Sequence, residues 1–139
     1  MYFPRIWFIC CLIFVMINHC QCFCIRSNLV APTSMHVIQR DGAGTGGPGL
    51  YEVDIGPGGS SCCHFSNTDC NFKGTADAIV GFTFTTWINN ERVGPFEFHI
   101  PAGGSSEVSG DANQPTIHTY DQRGQPYNYD GPLIGDRTW

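Results

Sequence analysis

Glycine and proline punctuate this chain at short intervals and leave no uninterrupted window that carries a helical apolar stripe. Seventeen glycines and nine prolines occur in 139 residues, and every glycine lies at or after residue 42. Interior helical positions cost about 1 kcal/mol for glycine and about 3 kcal/mol for proline relative to alanine, so such spacing favours short extended segments joined by turns. Period-two alternation is present where helical periodicity is missing. In AIVGFTFTTWI, Val80, Phe82, Phe84 and Ile88 fall on one side, and Thr83, Thr85 and Trp87 on the other. In PFEFHI, Phe96, Phe98 and Ile100 oppose Glu97 and His99, and in LYEVDI, Tyr51, Val53 and Ile55 oppose Glu52 and Asp54. These are patterns of half-buried strands. MHVIQ, SCCHF, SSEVS and TIHTY are shorter candidates. Asn89 and Asn90 suit a tight hairpin turn between the two longest strands, because asparagine tolerates positive φ.

Several short strands at this spacing predict a small antiparallel β-sandwich. The segment FEFHIPAGGSSEVS resembles the strand, Pro-Gly turn and strand of immunoglobulin-like sandwiches, which implies architecture and nothing about activity.

The N-terminal segment is different in kind. Arg5 precedes an uninterrupted apolar run from Ile6 to Ile17, twelve residues, and Asn18, His19 and Gln21 then break it. A membrane span needs about 20 apolar residues, so the run has the length of a signal-peptide core; a retained anchor is the alternative. Cys20 and Cys22 supply the small side chains a signal peptidase wants before a cut ahead of Phe23. The reading is therefore a signal peptide over 1–22 and one secreted domain over 23–139, with no membrane span in the mature chain.

That cut leaves Cys24, Cys62, Cys63 and Cys70, an even number that can pair fully in an oxidising compartment. Bonding adjacent Cys62 and Cys63 to each other would distort the peptide between them. The expected pattern is two disulfides, one of the adjacent pair tied to Cys24 and the other to Cys70, with the assignment open. A zinc site built from Cys62, Cys63, His64 and Cys70 lacks C-x-x-C spacing and needs reduced thiols, so no metal and no cofactor are expected.

From Phe23 onward six basic residues face twelve acidic ones, a formal charge of −6 with no basic cluster. Nucleic acid is thereby disfavoured as a partner, although a local site could still hold a phosphate. The glycine-rich stretch DGAGTGGPG lacks both a following helix and a GK[ST] ending, so it reads as a hairpin loop rather than a phosphate loop. The segment after Phe23 contains no N-x-[ST] sequon.

Two sets of residues bear on chemistry. Glu97 and His99, two apart on one strand and roughly 7 Å from each other, could join His118 and Arg123 as base, acid and phosphate-binding cation. That set is similar to the one used by fungal guanyl-specific ribonucleases. The chain departs from that family in lacking its helix, its C-terminal cysteine and its spacing, and the competing reading is that these are solvent-facing strand positions. The second set is aromatic: Tyr120, Tyr127, Tyr129 and Trp139 in the aperiodic C-terminal segment. Such rings either bind a sugar or protein surface or fold back over an open sheet edge. The expectation is a secreted binding protein, effector-like or toxin-like, meeting an extracellular or host protein or glycan. The alternatives are a small secreted hydrolase such as a ribonuclease and a carbohydrate-binding module.

Overall fold

A computed structural model describes residues 22–42 and 51–132. Most of the segment read as a signal peptide, most of the DGAGTGGPG loop, and Trp139 lie outside the described residues. Among the described residues the chain is all-β, with eight strands: β1 (Cys22–Leu29), β2 (Ser34–Asp41), β3 (Glu52–Ile55), β4 (Ser60–His64), β5 (Ile79–Ile88), β6 (Glu91–Pro101), β7 (Ser105–Gly110) and β8 (Pro115–Tyr120). They form two four-stranded sheets, ordered β4-β1-β7-β8 and β3-β2-β5-β6. No helix among the described residues is long and apolar enough to cross a membrane.

The predicted alternation is what packs the sheets together. Val80, Phe82 and Phe84 of β5 and Phe98 and Ile100 of β6 turn inward beside Met35 and Val37 of β2, all nearly or fully buried. The facing sheet contributes Phe23 and Ile25 of β1 and Val108 of β7. Phe23 joins the layers: its ring meets Phe82 and Tyr51 edge-on, each at 5.1 Å between centroids. Edge-to-face pairs at that spacing add about 0.5–1.5 kcal/mol beyond area burial. Asn89 and Asn90 form the β5–β6 turn with φ of 50° and 66°, the double positive-φ turn whose twist suits a hairpin.

Two features depart from a purely antiparallel sandwich. β1 is a strand not singled out by alternation, and it runs parallel to β7, Ile25 opposite Ser106 and Ser27 opposite Val108, so its sheet is mixed. The segment likened to immunoglobulin-like domains is present as strand, turn and strand. Its turn carries the chain from β6 in one sheet to β7 in the other instead of closing a hairpin.

The disulfides resolve the open assignment as Cys24–Cys62 and Cys63–Cys70. Cys24 and Cys62 are direct cross-strand partners between β1 and β4, so extended geometry sends Cys63 to the opposite face of β4, where its side chain packs against the core and reaches Cys70. The bonds point to an oxidising environment. They also commit the sulfurs that a zinc site would need. The predicted cleavage point falls one residue inside β1, where Cys22 is buried opposite His64.

Candidate recognition face

The outward side of the β3-β2-β5-β6 sheet brings Glu97 and His99 together with Tyr129 of the C-terminal segment. Cross-strand register places His36 beside Thr85, Ile38 beside Thr83, Thr83 beside Glu97, and Gly81 beside His99. Partners in an antiparallel ladder point the same way, so these side chains share one surface. His99 and Glu97 were expected to face solvent. Glu97 is half-buried and His99 only 3% exposed, because the segment after β8 folds over them.

That fold-back is built from local hydrogen bonds. Asp121 Oδ1 accepts the backbone N–H groups of Arg123 (2.8 Å) and Gln125 (2.9 Å), while Gly124 turns the chain at φ +75°. These bonds hold the Asp121 carboxyl below its ordinary range, the Gln125 N–H being the largest cause. Tyr120 bridges to Pro126, Tyr127 N–H donates to Thr119 O (2.8 Å), and the Thr119 hydroxyl donates to Tyr127 O (2.5 Å). The tail leaves β8 at the edge of one sheet and crosses to β6 at the edge of the other. There the Tyr129 ring stacks on His99 with centroids 4.0 Å apart and planes within 19°.

The imidazole can lie this low because position 81 has no side chain. A Cβ there would come within 2.7 Å of His99 Cδ2 and Nε2. Gly131 closes the other side, where a Cβ would collide with the Tyr129 hydroxyl and ring.

Among the described residues, cavities open along this face and its end, three of which bear on the site. The largest, about 530 Å³, lies between Tyr129, Asp41, Phe72, Lys73 and Asp77. Phe72 is 56% exposed beside it. Asn71, which also lines this cavity, fixes its floor by donating from Nδ2 to Phe65 O (2.6 Å) and Thr75 O (2.9 Å). Asp77 is held ionised, its carboxyl lowered chiefly by a hydrogen bond from Thr75. The second cavity, about 250 Å³, lies on the other side of Tyr129, between Glu97, His99, Thr119 and Tyr127. Burial, reinforced by Asp130 and Tyr129, pushes the Tyr127 phenol up, so at neutral pH it is an uncharged group able both to donate and to accept. The third, about 220 Å³, is lined by His36, Arg40, Thr83, Thr85 and Arg92.

The predicted catalytic set is divided by the fold. Glu97 and His99 share a cavity with Tyr127 and Tyr129. His118 is exposed on β8, paired in register with Glu107, on the side opposite Ile117 and Thr119. Arg123 is 80% exposed in the Asp121 turn. Of the predicted aromatic set, Tyr127 and Tyr129 are brought together, while Tyr120 ends β8. Sequence reasoning did not single out His36, Arg40, Arg92, Phe72 or Lys73. The signal for the first two was available in β2, where His36 and Arg40 fall on the polar side of an alternating strand. No protein-family model matches the chain, and no curated protein matches it.

Proposed function

We propose that this chain is a secreted binding protein, effector-like or toxin-like in character, that recognises an extracellular glycan through the outer face of the β3-β2-β5-β6 sheet. The observation that carries this reading is the Tyr129–His99 stack, which stands as an aromatic wall between two cavities lined by both polar and apolar groups. Sugar rings offer apolar C–H faces and a rim of hydroxyls. Aromatic faces match the first and ionised carboxylates, amides and phenols match the second. The first cavity offers Phe72 and Tyr129 with Asp41, Asp77 and Lys73; the second offers Tyr127 with Glu97 and Thr119. The two disulfides and the N-terminal apolar run support export.

The test is capture of soluble protein by a panel of insoluble extracellular polysaccharides, comparing wild type with Tyr129→Ala and Phe72→Ala. Retention of wild type on at least one polymer, reduced tenfold or more in both variants, is expected. Absence of retention on any polymer, or variants that bind as wild type, overturns the glycan reading. Intact mass from the medium of a secreting host, before and after reduction, tests export: a chain beginning at Phe23 with four thiols revealed by reduction is expected.

A further inference from the structure

The third cavity is distinctive for its charges. Arg40 and Arg92, two of the six basic residues beyond Phe23, converge on it in a chain of net charge −5. Neither guanidinium is ion-paired among the described residues: the carboxylates nearest in register, Glu52 and Asp54, are both taken by His36, at 3.0 Å to Nε2 and 2.7 Å to Nδ1. Glu97, across from Thr83, opens into the neighbouring cavity. Arg40 uses only its Nε, which donates to the Thr83 hydroxyl at 3.2 Å and holds the side chain down on β5. Arg92 lies over the Trp87 ring at 5.8 Å, an arrangement that orients the guanidinium without neutralising it.

A second observation is independent of charge. Thr85 lines the same cavity and is only 4% exposed, yet its hydroxyl oxygen has no hydrogen-bond partner among the described residues. An unsatisfied buried hydroxyl is costly, and a ligand that accepts or donates there removes that cost. Thr85 sits where the β5–β6 register slips, between Phe84 and Thr86, opposite the Gly94–Pro95 stretch that opens the ladder.

We infer that this cavity is a site for a single anionic group, a carboxylate or a sulfate ester, gripped by Arg40 and Arg92 with Thr83 and Thr85 as hydroxyl partners. Planar guanidinium forks match such oxyanions in geometry as well as charge. At about 220 Å³ the cavity falls below the usual range of roughly 300–1,000 Å³ for whole small-molecule sites, so it fits one group of a larger ligand. The surrounding acidity disfavours a dense polyanion and selects an isolated charge on an otherwise neutral molecule. Resting on the glycan reading above, and on the shared face, this makes the ligand a saccharide chain carrying a spaced acidic residue such as a uronic acid.

The experiment is a titration followed by backbone and arginine side-chain NMR, using glucuronate, glucose, inorganic sulfate, and a neutral oligosaccharide with its uronic-acid-bearing counterpart. Arg40→Gln, Arg92→Gln and Thr85→Val are compared with wild type; the two arginines are exposed, so their loss leaves the core intact. Glucuronate and sulfate are expected to shift resonances of Thr83, Thr85 and Arg40 while glucose does not. The acidic oligosaccharide should bind at least tenfold tighter than the neutral one, and each arginine variant should erase that preference. Small-anion shifts at this site without binding of either oligosaccharide would keep the anion site and sink the glycan reading. Oligosaccharide binding with no acidic preference, or a preference unchanged in both arginine variants, overturns the anion site alone. No shift with any probe removes both.

Discussion

Tyr129 lies flat on His99, 4.0 Å between ring centroids, and this contact fixes where the C-terminal tail ends up on the second sheet. Removing the ring with Tyr129→Ala should lower unfolding stability by about 1–2 kcal/mol, from lost stacking and area. Tyr129→Phe should keep most of it. Urea denaturation of the three proteins checks the ordering, and an alanine variant as stable as wild type would mean that the tail contributes nothing to the fold.

Gly81 is the floor beneath that stack. Since an added Cβ would lie 2.7 Å from the imidazole, and Tyr129 blocks escape on the other side, Gly81→Ala must push the ring outward. A cost of about 1–3 kcal/mol is expected from overpacking. The His99 ring protons should also lose the upfield shift that Tyr129 imposes, which one-dimensional NMR can read.

The disulfides Cys24–Cys62 and Cys63–Cys70 close loops of different length, 38 and 7 residues. Constraining the unfolded chain predicts that replacing Cys24 and Cys62 by alanine together costs about 4 kcal/mol, and replacing Cys63 and Cys70 about 2 kcal/mol. Paired urea midpoints test the order; equal losses would show that native-state packing outweighs the entropic term.

Asp121 ties the tail's first turn, and its lowered carboxyl means the folded state prefers the ionised form. Its stabilising contribution is present above the ordinary carboxylate pKa near 3.8 and disappears as pH falls through the lower folded value. Acidification below about pH 4 should therefore loosen the turn. Asp121→Ala should do the same at neutral pH, seen as faster amide exchange at Arg123 and Gln125. Unchanged exchange in the variant would show that the backbone holds the turn unaided.

Most of the sandwich could be read from alternation because β2, β3, β5 and β6 bury one side and leave the other polar. β1 escaped because its inward row is interrupted by Ser27, fully buried among Phe23, Ile25 and Leu29, so the apolar period breaks where the strand continues. Its parallel pairing with β7 leaves no local mark either: alternation records which side is buried, not which strand lies alongside. Cysteine arithmetic narrowed the disulfides, and the opposite faces of adjacent residues on β4 did the rest. The site was only partly readable. Glu97, His99, Tyr127 and Tyr129 were visible as residue types, but their meeting depends on a tail without periodicity crossing between sheets. Arg40 and Arg92, far apart in the chain, meet only through the β2-β5-β6 ladder.

The position of β1 has a consequence for the order of assembly. It is an interior strand, flanked by β4 on one side and β7 on the other. The earliest part of the domain to emerge during synthesis therefore waits for Ser105–Gly110 before its second edge is covered. Pairings so distant in sequence are slow to close. A chain truncated before β7 would leave Phe23 and Ile25 without half of their sheet, exposing an open edge suited to aggregation. Closure of the β4-β1-β7-β8 sheet around β1 thus waits on the chain as far as Gly110.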